Sequence, residues 1–184
     1  NLSRMANDLR MMASGPRAGL AEITIPARQP GSSIMPGKVN PVIFEVCNQV
    51  SFQVFGHDET ITKAAEAGQF ELNVFEPVLF FNLFSSIEML THAIETLCDN
   101  ALIDVQANRS QCEHILTQSL SAVTALSPII GYQKTSALAK EALAHNQSLE
   151  QVIMSHHLLS ERMMQKVMDY QRLTHPGMLK SDSI

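Results

Sequence analysis

Apolar residues recur along this chain at helical spacing in three separate runs. Leu2, Met5, Leu9 and Met12 step three-four-three, one seam of an amphipathic helix. Ser14-Gly15-Pro16 ends it, because glycine suits the position after a helix and proline cannot continue one. Ile43, Cys47, Val50 and Val54 step four-three-four and predict a helix from Pro41 to Ala67. Asn40 reads as its cap, Pro41 as its first helical residue and Gly68 as its break. The third run, opened by Glu76-Pro77, is Phe80, Leu83, Ile87, Leu90, Ile94, Leu97 and Ala101, the three-four alternation of a long bundle helix. Three such seams predict helices packed nearly antiparallel, with the Met, Phe and Leu stripes as core. Part of that core is expected to belong to another subunit, since a partial bundle this apolar would otherwise expose a large patch.

After Asp104 the texture changes. Asn108 with Gln111 resembles a capping box and predicts a helix to Leu120. Pro128 and Gly131 punctuate, and a helix follows over Gln133–Ala144. Ser148 and Ser160 are expected to cap short helices over Leu149–Ser155 and Glu161–Asp169, before an irregular tail from Leu173 to Gly177. No segment alternates as a strand would. The expected fold is all-α: part of a long-helix bundle over residues 1–105, then a small C-terminal helical domain over 106–184.

Composition narrows the function. A hydrophobic fraction of 45% in 184 residues supports a sizeable core. No stretch approaches the roughly 20 apolar residues that cross a bilayer, and no secretory signal is visible, so no membrane partner and a cytoplasmic location are expected. Asn1 is expected to lie inside a longer natural chain. Cys47, Cys98 and Cys112 are odd in number and widely spaced, which suits reduced thiols acting as small buried hydrophobes. A net charge of −5 excludes the basic stripe of a nucleic-acid binder. His156 and His157 are adjacent, so on a helix they diverge by about 100°, and Cys112 with His114 lacks a second ligand pair. Neither a metal nor a cofactor is expected.

Candidate chemistry concentrates in one place. From Gly15 to Gly37 there is no helical period, and loops of this length inside compact domains are usually functional. Its distal part is Gly31-Ser32-Ser33-Ile34-Met35-Pro36-Gly37-Lys38-Val39-Asn40-Pro41. A phosphate loop fails on spacing: five residues separate Gly31 from Gly37 where the motif has four, and Val39 stands where a hydroxyl residue should follow the lysine. A carboxylate site fits better. Lys38 supplies a point charge and Asn40 an amide donor beside a helix N-terminus, which itself favours anions. Holding a carboxylate there would acidify protons on its α carbon by stabilising the aci-carboxylate dianion. Ser32 and Ser33 lie on the side able to close over a ligand, but a serine needs a lowered pKa to act as a base. The alternative is that the two serines make a turn and Lys38 is merely solvated.

The same eleven residues resemble the signature of the aspartase/fumarase superfamily, and the likeness runs on through Met5–Arg10, Ser14-Gly15-Pro16-Arg17 and Glu71-Leu72-Asn73-Val74. The resemblance implies a homotetramer with a central helical bundle and active sites shared between subunits. It implies a small dicarboxylate substrate and reversible elimination to fumarate. Residue by residue, Ser32 matches the catalytic base of a loop spanning 28–40. Lys38 and Asn40 match the carboxylate-binding pair, with Ser33 and Met35 as further substrate-binding positions. Glu45 matches an acid that pairs with a histidine on another segment. Ala64–Gln69, Asn73–Pro77 and His175-Pro176 resemble the aspartase branch, a carbon–nitrogen lyase releasing ammonia from L-aspartate; Glu76 stands where fumarases carry arginine. Phe70–Asn73, Thr124–Leu126 and Ile130–Tyr132 resemble class II fumarases, the alternative branch. Phe44 departs from the proline common in aspartases, and His57-Asp58 from the Asn-Asp common in both. The resemblance places this chain in the C-terminal part of a subunit, which alone is expected to be inactive. The rival reading from another class is a helical assembly module without activity.

Overall fold

The computed structural model describes residues 1–31 and 34–177. Packing divides the chain into two units, Asn1–Gln111 and a second that begins at Cys112. In the first unit α1 (Leu2–Met12) is followed by β1 (Ile23–Thr24), α2 (Val42–Glu66) and α3 (Glu76–Asn100). A single 3-10 turn at Leu102–Asp104 leads into β2 (Gln106–Ala107). The helix α4 (Arg109–Gln118) follows. The second unit continues with α5 (Val123–Ile130), α6 (Tyr132–His145), α7 (Leu149–Ser155), α8 (Glu161–Val167) and α9 (Tyr170–Leu173).

α2 and α3 form a long helical hairpin, and α1 packs against α2. Pro41, read as the first helical residue, is instead the N-cap, with φ −80° and ψ 51°. Its carbonyl accepts the first helical bond from the Glu45 N–H at 3.0 Å, so the helix begins one residue late and Asn40 makes no capping bond. At the other end of the hairpin Asn73 joins both helices. Its Nδ2 donates to the Ala64 carbonyl (2.9 Å) near the end of α2, and its Oδ1 accepts from the Phe75 N–H (2.8 Å) at the start of α3.

The face that α3 turns inward is only partly the expected one, Leu97 and Ala101 of the seam being buried. Asn82, Ser86, Ala93 and Leu97 are buried, whereas Phe80, Leu83, Ile87 and Ile94 of the apolar seam are exposed. Phe80 and Phe84 stack on each other at 5.8 Å on that outer face. The inner face is small and polar, and its groups are satisfied locally. Ser86 Oγ donates to the Asn82 carbonyl (2.8 Å), which leaves its oxygen to accept from His57 Nδ1 at 2.9 Å. His57 Nε2 then accepts from Gln53 Nε2 at 3.0 Å, so the geometry selects the Nδ1–H tautomer. Small residues bring the helices close and leave the large apolar ones no room between them. By length and composition alone Glu76–Asp104 is apolar enough to cross a membrane, with a mean hydropathy of 1.3 over its most apolar window, as the core helix of a soluble protein can also be.

The core of the first unit sits at the loop end of the hairpin: Ala6, Phe44, Cys47, Leu97 and Ala101, with Ile25, Ile43 and Val105 against them. Cys47 is buried as expected, but Cys98 is exposed and Cys112 half-buried, because both fall off the inward faces of their helices. The β1–β2 pair, antiparallel with Ile23 opposite Ala107, was not legible as alternation in two-residue strands. It ties residues 106–107 to the first unit. The Asn108 N–H adds a bond to the Glu22 carbonyl (2.8 Å). That bond also halves the expected capping box. Asn108 Oδ1 does accept from the Gln111 N–H, but Gln111 Nε2 donates to the Leu20 carbonyl instead.

In the second unit Leu126, Leu138, Leu149, Val152, Ile153 and Val167 form the buried centre. Pro128, read as punctuation, lies inside α5. There the proline forgoes the one bond that its missing N–H would make to the Thr124 carbonyl. Ser148 and Ser160 cap α7 and α8 as expected, the former with the full reciprocal box to Gln151. Asp169 caps the additional helix α9, which had been read partly as tail. Phe44, 1% exposed, fills the space between the three helices of the first unit. Phe44→Ala should cost about 3–5 kcal/mol, read as a lower denaturation midpoint of the full-length protein at unchanged slope.

Candidate active-site loop

Two anchors hold the long loop to the end of the hairpin. At its near end Arg28 Nε donates to the Asn100 carbonyl and Nη2 to Asp104 Oδ2, both at 2.6 Å. At its far end Pro41 and Phe44 enter α2 over the core just described. Between them the chain doubles back. Met35-Pro36-Gly37-Lys38 forms a β-turn, closed by the Lys38 N–H on the Met35 carbonyl at 3.3 Å. Gly37 has φ +80°, the conformation that a type II turn requires at its third residue, after proline at the second. Gly31 lies so close to the Lys38 carbonyl that a β-carbon there would collide with it. The loop therefore needs glycine at 31 for close approach and at 37 for handedness.

This turn holds its polar groups outward. Lys38 is exposed and Asn40 half-buried, and neither side chain has a hydrogen-bond or ion-pair partner among the described residues. Met35 and Ile34 are exposed as well. Ser32 and Ser33, the expected base and its neighbour, lie outside the described residues. Asn40 lines a narrow crevice with Ile25, Pro26, Ile43 and Asn100, which places its amide at the junction of loop, α2 and the end of α3.

Glu45, one turn into α2, faces α1. Arg10 Nη2 lies 3.5 Å from its Oε1, and Arg10 Nη1 donates to Asn48 Oδ1 at 3.2 Å. Asn48 is buried and passes the connection on, its Nδ2 donating to the Ser3 carbonyl (2.9 Å) and hydroxyl (3.1 Å). Arg10 and Asn48 escaped sequence reasoning. The signal was present in Arg10 within the Met5–Arg10 run, but nothing in helical spacing says that an arginine on one helix meets a glutamate 35 residues on in another. Arg10 Nε is buried without a partner, so this cation is held by contacts at one edge of its guanidinium only.

The other titratable candidates fall away. Among the described residues no group of three His, Cys, Asp or Glu side chains could hold a metal ion. His156 pairs with Glu141, its Nε2 within 3.0 Å of both carboxylate oxygens. Burial pushes the Cys47 thiol above its ordinary range, and its Sγ points at the Ala93 carbonyl (3.7 Å), so it is a packed and unreactive group.

By its sequence the chain belongs to the aspartase/fumarase superfamily. Residues 1–56 match the family described as Lyase, and residues 123–175 that described as Fumarase C C-terminus. An aspartate ammonia-lyase of a Bacillus species is 51% identical over 177 residues, 96% of this chain and 38% of that protein. A class II fumarate hydratase of Halalkalibacterium halodurans is 46% identical over 176 residues, again 96% of this chain and 38% of that one. The solved fumarate lyase:delta crystallin of Brucella melitensis has a TM-score of 0.88 at 46% identity, over 95% of this chain and 38% of that chain. Recombinant class II fumarase from Schistosoma mansoni gives 0.86 at 37% identity, over 91% of this chain and 35% of its own. The chain thus spans little more than a third of the length of the curated relatives it matches.

The glycine requirement is testable in the full-length protein. Gly31→Ala should displace the Lys38 carbonyl and lower kcat/KM about tenfold or more, since small misplacements of positioning groups carry large penalties. Its denaturation midpoint should move little, because the loop lies outside the core.

Proposed function

We propose that this chain is the loop-bearing part of an aspartate ammonia-lyase, which removes ammonia from L-aspartate to give fumarate. The observation that carries the reading is the 43–51% identity to seven aspartate ammonia-lyases across nearly the whole chain. The open, unpaired Lys38 and Asn40 support it, because both are free to receive a carboxylate. Ser32 takes the proton from the carbon α to that carboxylate. The electron pair moves into the carboxylate as a dianion, which Lys38 and Asn40 stabilise. The pair then returns to form the carbon–carbon double bond as the carbon–nitrogen bond breaks and ammonia leaves. Each preorganised donor of this kind contributes about 3–4 kcal/mol to the rate. Ser33 and Met35 flank the bound substrate. Glu45, steadied by Arg10, orients a histidine supplied by another segment.

The enzyme works in the cytoplasm as a homotetramer whose sites are shared between subunits, without a resident cofactor or metal. The exposed Phe80, Leu83, Ile87 and Ile94 stripe supports assembly, since an apolar face of this length is costly in water. A second reading, class II fumarase, is favoured by the fumarate hydratase at 46% identity and the Schistosoma mansoni fumarase likeness. In it the same loop removes water from L-malate.

Fumarate formation followed by ultraviolet absorbance separates the two: the full-length enzyme should turn over L-aspartate and leave L-malate untouched. Ser32→Ala should abolish nearly all turnover while the tetramer persists on gel filtration. Lys38→Met should lower kcat/KM by at least about a hundredfold. Unchanged turnover in Ser32→Ala would assign the base elsewhere. The 184-residue chain by itself should show no turnover with either substrate.

A further inference from the structure

A cavity lies wholly within the second unit and has no part in the loop chemistry. It measures about 700 Å³ and is bounded by α5, α9 and the segment after α9. Leu116, Pro128 and Leu173 give it an apolar wall. Its polar groups include Arg172, His175 and Ser121, with no carboxylate among the lining residues.

Arg172 and Ser121 have donors to spare. The Arg172 guanidinium has no partner among the described residues, its backbone N–H alone being engaged by Asp169 Oδ1. Ser121 Oγ accepts from Ser119 Oγ at 3.0 Å, which leaves the Ser121 hydroxyl hydrogen uncommitted. His175 Nδ1 lies 3.0 Å from the Gln171 carbonyl, so that nitrogen carries a hydrogen and Nε2 remains open. The Tyr170 ring contributes to the wall, while its hydroxyl is closed off from the cavity, buried and without a partner among the described residues.

We propose that this cavity is a second binding site, separate from the catalytic loop, for a small organic anion with one oxyanion head and an apolar body. Arg172 holds the head as a two-pronged donor, the Ser121 hydroxyl adds a second donor, and the apolar wall takes the body. The unpartnered arginine and the uncommitted Ser121 hydroxyl, on one cavity with no carboxylate in its lining, carry the assignment independently of what the loop catalyses.

Calorimetric titration of the full-length protein with benzoate and with phenyl phosphate tests it, the tighter of the two identifying the preferred head. At least one should bind. Arg172→Gln should weaken that binding about tenfold or more, the loss expected for a charge-assisted bond, and Ser121→Ala by a smaller factor. Lys38→Met should leave it unchanged, and excess fumarate should not displace the probe. Failure of both probes to bind, undiminished binding in Arg172→Gln, or displacement by fumarate would each overturn the proposal. Circular dichroism of Arg172→Gln confirms that lost binding is not lost folding, since the residue is exposed on α9.

Discussion

The hold of Arg28 on the end of α3 is the interaction on which the candidate active-site loop depends. Two bonds of 2.6 Å fasten the loop's near end to the Asn100 carbonyl and to Asp104, while its far end is the start of α2 itself. Because α2 and α3 are one hairpin, both attachments belong to the same rigid body. The loop between them can change shape without its ends separating. As a partly exposed ion pair, Arg28–Asp104 contributes at most about 1 kcal/mol to stability. Its importance is geometric: it fixes where a tight turn presents Lys38 and Asn40.

The hairpin achieves that rigidity with small residues. Ala93, Ser86 and Asn82 face Cys47, Ser51 and His57, and polar side chains there are satisfied within one turn or across the seam. Close approach of two helices excludes large side chains from between them, and the phenylalanines and isoleucines of α3 are displaced outward. The same choice that tightens the pair therefore creates an apolar exterior. That exterior is the largely exposed face of α3 that carries Phe80, Leu83, Ile87 and Ile94.

Much of this was legible in the sequence. Helical period located α1, α2, α3 and α6 to within a residue or two, and Ser148 and Ser160 announced their helices through cap chemistry alone. The loop was legible by the opposite route, through absence of period and the positions of its glycines. What stayed hidden were features set by contacts distant in sequence. The three-four alternation in α3 showed that it had an apolar stripe, but whether that stripe faced α2 depended on Ala93 and Ser86 offering a closer fit. The Arg10–Glu45 pairing, the Gln111 bond to Leu20 and the two-residue β-pair are of the same sort. α5 was hidden by Pro128, since a proline looks like an ending whether or not the helix is short enough to absorb it.

Asn73 sits where the hairpin turns, donating to the last turn of α2 and accepting from the first residues of α3. Only a carboxamide does both from one short side chain. Aspartate has the same outline, yet it would set a lone pair against the Ala64 carbonyl where a hydrogen is needed, and serine is too short to reach both partners. Hydrolysis of this single amide, the commonest slow chemical lesion of asparagine, would thus turn a stitch into a repulsion at the point where the two long helices are joined. The durability of the hairpin over time is bounded by the chemistry of one side chain, however well its helices pack.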